Sequence, residues 1–273
     1  MFIELTTPAQ VVLSAANIVH GFGEESSPRG QKTREMCNMT FVVSEPWQIP
    51  LNGIAGRKLR DYIGASEALQ LVGQTTEPEQ LIANVATFKN YTDGGIFHGA
   101  YGIRIYGKLK LVIDLLKRDK YSRQAVLTMY NSTQDLNVDT RDVPCTLSIQ
   151  FLIRDNKLCA RTTMRSNDVW LGLPYDLIQF CALQGAIARA LDLEMGWYSH
   201  SVGSLHLYEQ HFDNVKDLTW AIEPMSKPYK PLWTSTTIEN ISRDARKILK
   251  GESRVESTDF EEWLTATIDS GQW

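Results

Sequence analysis

Cys145, within Val143-Pro144-Cys145, is the residue of this 273-residue chain best suited to covalent chemistry. A thiolate adds to an electron-poor ring when nearby positive charge or hydrogen-bond donors stabilise it. Arg165 and Ser166 offer an anion one charged fork and one hydroxyl, provided folding brings the two ends of a hairpin together. Taken alone, a cysteine beside a proline is more often structural. Glu67 interrupts a helix-like apolar segment; its plain reading is surface solvation, and its chemical reading is an acid/base or water-positioning group held over a cleft. His200, His206 and His211 lack the spacing of a compact ligand motif, so no metal is expected. Cys37, Cys145, Cys159 and Cys181 form no CxxC pair, which leaves neither a redox motif nor a zinc site.

The elements that must position these groups follow from periodicity. Alternation in Leu147, Ile149, Phe151 and Ile153 predicts a strand, Asp155 and Asn156 a turn, and Leu158 to Met164 the returning strand. Cys145 then stands just before the first strand. The strongest helix signal runs from Asp176 to Leu193, after Gly172 and Pro174, with Asp176 near its start. Further helices are expected over Leu59 to Val72, ended by Gly73, over Leu109 to Lys117, and near Arg243 to Lys250. Strands are expected at Met39 to Val43, Gln124 to Tyr130 and Leu205 to Tyr208, where His206 and Tyr208 share a face. Pro28, Arg29 and Gly30 read as a turn.

With 43% hydrophobic and 22% charged residues, the chain can bury a substantial core. A net charge of -4 argues against non-specific coating of nucleic acid and leaves a small anionic ligand open. No leader and no membrane-length apolar run is evident, so a cytoplasmic protein without direct membrane or nucleic-acid partners is expected. The sequons at Asn38, Asn90, Asn131 and Asn240 are then accidental. Mixed helices and strands without repeat or linker predict one α+β domain over residues 1–273, with a variable C-terminal region from about 224; a separate domain starting near Pro224 is the architectural alternative.

Several motifs agree in order and separation with one family. Val143-Pro144-Cys145 followed by Gln150-Phe151, then Arg165-Ser166-Asn167-Asp168, Leu171-Gly172-Leu173-Pro174-Tyr175-Asp176 and His206-Leu207-Tyr208, resemble the thymidylate synthase superfamily. The resemblance spans roughly Arg29 to His211 and implies that family's fold, a large mixed β-sheet packed by helices. It implies that Cys145 attacks carbon 6 of a pyrimidine nucleotide and that Arg165 and Ser166 bind its phosphate. Asp168 and Gly172 would hold nucleotide and folate, with His206 and Tyr208 on the sugar hydroxyl. Ser122-Arg123 resembles the segment whose arginine crosses to a partner's phosphate, which implies a homodimer with composite sites. Gly94-Gly95-Ile96-Phe97 through Tyr101-Gly102 resembles the cofactor-side loop; Tyr101 and Tyr175 are folate-side candidates. Glu67 matches the catalytic glutamate, and Arg29 competes with Arg34 for the mobile phosphate arginine.

Thr146 stands where the common pattern has histidine, and Gln124 replaces the second arginine of the interface pair. Asp176 stands where uracil-specific members carry asparagine. An acidic acceptor suits the exocyclic amino group of cytosine, so the pattern is similar to deoxycytidylate hydroxymethylases. The resemblance thus implies one-carbon transfer from 5,10-methylenetetrahydrofolate to carbon 5 of dCMP, then hydration. The alternatives are CMP hydroxymethylation, dCMP methylation or a silent nucleotide-binding relative.

Overall fold

The computed structural model describes residues 1–49, 51, 54–57, 59–75, 97–136, 139–140, 142–220, 227–252 and 257–270. Its strands are β1 (Phe2–Leu5), β2 (Glu24–Ser26), β3 (Thr33–Val43), β4 (Ile54–Ala55), β5 (Val126–Thr128), β6 (Thr146–Arg154), β7 (Lys157–Asp168), β8 (Glu194–Tyr208) and β9 (Thr219–Trp220). Seven of them form one mixed sheet in the order β1-β3-β8-β7-β6-β5, with β2 on β3, while β4 pairs with β9. β1 runs parallel to β3 and β7 to β8; the other pairs in the sheet are antiparallel. This is the expected α+β architecture, a large mixed sheet packed by helices.

The β6–β7 hairpin forms where alternation placed it. Asp155 and Asn156 adopt φ of 49° and 56°, the left-handed geometry of a two-residue turn that matches the twist of its strands. At its open end Thr146 pairs with Met164, and the Arg165 N–H donates to the Cys145 carbonyl at 2.8 Å. Cys145 and Arg165 therefore meet through strand register. The strand expected at Met39 to Val43 begins six residues earlier, at Thr33, because β8 supplies backbone partners along it. The strand expected over Gln124 to Tyr130 is limited to Val126–Thr128.

The helix Leu173–Ala190 carries Pro174 in its first turn, where no intrahelical N–H is required, and is buried almost throughout. Its Phe180 meets the sheet at His200 of β8, ring centres 6.4 Å apart; burying such a side chain contributes roughly 1.5–3 kcal/mol. Gln184 serves the irregularity between β7 and β8, its Nε2 donating to the carbonyls of Leu158 at 2.8 Å and Gly196 at 3.2 Å. The expected helices around Leu59 to Val72 and Leu109 to Lys117 are Asp61–Gly73 and Lys108–Arg118. Gly73 is the last helical residue, and Gln74, at φ 49°, makes the left-handed cap.

A helix at Pro8–Phe22 was absent from the periodicity reading, although Thr7 and Gln10 close a capping box at its start. The basic helix expected near Arg243 is Ile238–Leu249. Its Ser242 Oγ donates to the Val72 carbonyl at 2.8 Å and Arg246 to that of Gly73 at 2.6 Å. These bonds lash it to the helix bearing Glu67. Pro224, Asn90 and the loop residues Gly94, Gly95 and Ile96 lie outside the described residues. Among the described residues no helix is long and apolar enough to cross a membrane, and no group of His, Cys, Asp and Glu could hold a metal ion.

Candidate active site

One cavity of about 210 Å³ gathers Glu67, Gln70, Phe97, Tyr101, Asp142, Cys145, Asp176 and Gln179 among its lining. Four elements converge on it. The Asp61–Gly73 helix presents Glu67, the short helix Tyr101–Arg104 presents Tyr101, the start of β6 presents Cys145, and the first turn of Leu173–Ala190 presents Asp176. The Tyr101 segment is anchored by a buried ion pair. Arg104 donates to both oxygens of Asp135 at 2.8 and 2.9 Å, and His98 Nε2 lies 2.7 Å from the same carboxyl. Two backbone carbonyls, those of His98 and Met129, take further Arg104 donors at 2.7 Å.

The electrostatics disfavour charge in the cavity. Burial pushes the Asp176 carboxyl up to about 7; hydrogen bonds from Asn167 and Gln179 oppose the rise, and Asp168 adds to it. Glu67 is driven well above the carboxylate range by burial and by Asp176. Gln179 Nε2 joins the two, donating to Glu67 Oε2 at 3.2 Å and Asp176 Oδ1 at 3.0 Å. The Cys145 thiol is also raised by burial; Arg165 and Arg29 pull it down, whereas Asp176 and Asp142 push it up. Tyr101 lies stacked with Phe180, ring centres 6.0 Å apart, and its hydroxyl accepts from Thr146 Oγ1 at 2.9 Å and Thr146 N–H at 3.2 Å. Thr146 thus locks Tyr101 against the nucleophile strand.

Around the cavity the remaining candidates fall into place unevenly. Arg165 donates to the carbonyls of Pro144 and Val143, both at 3.0 Å, and so lies over the backbone next to Cys145. Ser166 and Asp168 pair across the sheet with Ser204 and His206. Asp168 Oδ1 accepts from the N–H groups of Trp170 and Leu171 at 2.7 and 3.0 Å, shaping the turn that ends at Gly172. His206 and Tyr208 share a strand face, their rings edge-to-face at 5.3 Å. The Tyr175 hydroxyl accepts from the Arg60 N–H at 3.2 Å, outside the cavity lining.

The two competing N-terminal arginines differ. Arg29 is exposed on a turn at φ 54°, and its charge acts on Cys145. Arg34 donates to the His20 carbonyl and lies 4.8 Å above the Phe212 ring, so its guanidinium is engaged elsewhere. Arg123 is exposed just before the edge strand β5, its carbonyl accepting from Gln150 at 2.9 Å.

Sequence reasoning missed Gln179, Gln70 and Asp142, whereas Phe97, from the expected cofactor-side loop, does line the cavity. Gln179 was findable, since a residue three positions after Asp176 on a helix shares its face. Gln70, likewise three residues after Glu67, follows the same rule and accepts from the Gly102 N–H at 3.3 Å. Asp142 accepts from the Gly99 N–H at 2.8 Å, a contact between segments far apart in the chain that no local signal marks.

A family model described as thymidylate synthase matches residues 67–246. The chain is 31% identical over 186 residues to a deoxyuridylate hydroxymethyltransferase of Pseudomonas phage M6, a match covering 65% of this chain and 53% of that protein. It is 29% identical over 219 residues to a deoxyuridylate hydroxymethyltransferase of Bacillus phage SP01, covering 74% and 57%. A thymidylate synthase of Staphylococcus haemolyticus is 30% identical over 112 residues, covering 41% of this chain and 34% of that protein. The matches thus span a little over half the length of the two phage relatives.

These relatives overturn the cytosine expectation, together with its deoxycytidylate hydroxymethylase branch and its CMP and dCMP alternatives, because both phage proteins are named for deoxyuridylate. The physical reason lies in Asp176. The expectation took it as an ionised acceptor, whereas burial holds it toward the neutral acid. A neutral carboxyl offers one donor and one acceptor, as an asparagine amide does.

Proposed function

Because the chain belongs to the thymidylate synthase family, we propose that it transfers a one-carbon unit from 5,10-methylenetetrahydrofolate to carbon 5 of dUMP and releases 5-hydroxymethyl-dUMP. The observation that carries this reading is the meeting of Cys145, Glu67 and an Asp176 whose carboxyl is pushed up to about 7 in one cavity. The residues present fit a folate. Leu171 is 48% exposed, and at Gly172 beside it a Cβ would crowd Asn167 Oδ1 at 2.9 Å, so only glycine keeps this approach clear. Leu171 and Gly172, with Tyr101, Asp168 and Tyr175 nearby, would hold its ring system, and when bound it supplies a methylene group at the oxidation level of formaldehyde.

The chain's own residues do the rest. Cys145 Sγ bonds to carbon 6 of the uracil, and the electrons of the ring double bond move toward carbon 5 and the carbonyl oxygen at position 4. Asp176 in its neutral form accepts from the ring N–H and donates to that oxygen, where negative charge accumulates. Glu67 holds the water whose oxygen becomes the new hydroxyl, and its ionised form, made strongly basic by burial, accepts the proton that the water loses. Carbon 5 gives up its proton once the one-carbon unit is joined to it; with no hydride taken up the product keeps the hydroxyl, and electrons returning from carbon 5 expel Cys145 Sγ from carbon 6 and restore the ring double bond. Arg165, Ser166 and Arg29 bind the phosphate, with Arg123 supplied by a second copy in a homodimer; His206 and Tyr208 take the sugar hydroxyl.

Incubation with dUMP and 5,10-methylenetetrahydrofolate, read by product mass, tests the reading. Hydroxymethyl-dUMP is expected, and Cys145→Ser should abolish both product and covalent adduct. A methylated product, or no reaction with dUMP, overturns it.

A further inference from the structure

The reaction above leaves one proton without an acceptor. Once the one-carbon unit is joined to carbon 5, that carbon still bears its hydrogen, made acidic by the neighbouring carbonyl at position 4. Among the described residues, five ionisable side chains line the cavity: Glu67, Tyr101, Asp142, Cys145 and Asp176. All but Asp142 have other work. Cys145 is bonded to carbon 6 at this stage, Asp176 meets the base edge and Glu67 serves the water. The Tyr101 phenol is driven well above its ordinary range by burial, and its oxygen already accepts from Thr146 Oγ1 at 2.9 Å and Thr146 N–H at 3.2 Å. An un-ionised phenol whose oxygen takes two donors is a poor proton acceptor.

Asp142 stands apart from the group that Gln179 ties together. It lies on the segment leading into the nucleophile, three residues before Cys145, and is half-buried at the cavity wall. Its negative charge is felt at the Cys145 thiol, which it pushes up. Carbon 5 is bonded to carbon 6, the atom that Cys145 Sγ attacks, so a carboxylate that acts on this sulfur stands in the neighbourhood of the carbon-5 hydrogen.

The backbone is shaped to hold that carboxylate. Gly99 N–H donates to Asp142 Oδ2 at 2.8 Å, and a Cβ on Gly99 would lie 2.7 Å from both Asp142 Oδ1 and the Asp142 carbonyl oxygen, so only glycine admits the approach. Asp142 N–H donates to Thr140 Oγ1 at 3.1 Å. Arg165 holds the next two carbonyls, those of Val143 and Pro144, both at 3.0 Å. Asp142 is thereby fixed relative to Cys145 by the same arginine that meets the nucleophile strand.

We propose that Asp142 is the catalytic base that removes the proton from carbon 5. Its carboxylate takes that proton, and the electron pair of the C–H bond becomes the double bond from carbon 5 to the transferred carbon. The bond from that carbon to the tetrahydrofolate nitrogen breaks, its electrons stay on nitrogen, and the nitrogen takes up a proton that balances the one lost. The methylene left on the ring is what the water held by Glu67 attacks. This rests on the proposed one-carbon transfer to carbon 5 of dUMP.

Asp142→Asn keeps an oxygen for the Gly99 N–H and removes the base. With dUMP and 5,10-methylenetetrahydrofolate its turnover should fall about a hundredfold or more, and replacing the carbon-5 hydrogen by deuterium should slow the variant by a larger factor than the parent. Steps before proton removal should survive. In the absence of folate, dUMP should bind no more weakly than to the parent, and iodoacetamide should alkylate Cys145 at least as fast, since a charge that holds the thiol up is gone. 5-Fluoro-dUMP, which has no hydrogen at carbon 5, should form the Cys145 adduct with folate to the same extent in both proteins. Should the asparagine variant not fold, Asp142→Ala makes the same test, with turnover regained as formate is added. Turnover within about tenfold of the parent, an isotope effect no larger than the parent's, or a fluoro adduct lost in step with turnover overturns the proposal. If the variant behaves as stated while the parent's product proves to be methylated, the role of Asp142 stands and the hydroxymethyl reading fails; a parent that never releases the carbon-5 hydrogen of dUMP overturns both.

Discussion

Replacing Asp176 by asparagine isolates the energetic cost of the carboxyl. Burial raises it from 3.8 to about 7, so between those values the folded protein keeps a proton that the unfolded chain has lost. Raising pH through this window therefore favours unfolding, and above it the penalty is constant. At about 1.36 kcal/mol per unit the full penalty is about 4 kcal/mol, of which about 3 kcal/mol accrues between about pH 5 and about pH 8. Asparagine supplies the same donor and acceptor without a titration. Urea unfolding at those two pH values, followed by tryptophan fluorescence, should find the variant gaining about 3 kcal/mol on the parent as pH rises. Glu67 remains buried in both proteins, and losing the Asp176 charge eases its ionisation, which adds to the variant's gain at the higher pH. A stability difference that is the same at both pH values would refute the claim that Asp176 is buried as a neutral acid.

Three further outcomes are expected. Gln179→Leu removes a donor that favours ionised Asp176, so its carboxyl should titrate at higher pH, with dUMP binding persisting further into the alkaline range, and turnover should drop about tenfold or more as Glu67 loses the same bond. Arg29→Ala should weaken dUMP binding by roughly 1.5–3 kcal/mol, most clearly at low salt, whereas Arg34→Ala should lower stability and leave affinity near that of the parent; calorimetric titration and melting separate the two. Asp135→Ala strands the Arg104 guanidinium and should cost about 3 kcal/mol or more in denaturant unfolding. The Asp135 carboxyl is held down at about 2, chiefly by Arg104 against the cost of burial. Its contribution should be complete above about pH 4 and lost as pH falls through about 2.

The parts of the site that were legible in the sequence are those set by local rules. Alternation from Leu147 to Ile153 and the Asp155-Asn156 turn are enough to build the hairpin, and building it brings Arg165 to Cys145. The first turn after Pro174 places Asp176 by helix periodicity alone. The capping box of Thr7 and Gln10 is equally local. By contrast, β8 supplies the partner that extends β3 back to Thr33, and no property of residues 33–38 announces that partner.

Residue types and order by themselves determined the candidate nucleophile, the family resemblance and the hairpin, because thiol chemistry and strand period belong to side chains and their spacing. Tertiary structure decided the charge of Asp176, the bridge made by Gln179, and the difference between Arg29 and Arg34. Each of these depends on what surrounds a side chain after folding. An aspartate in the sequence is an anion by default; the same aspartate, buried beside Glu67, Asn167 and Gln179, has its carboxyl pushed up to about 7.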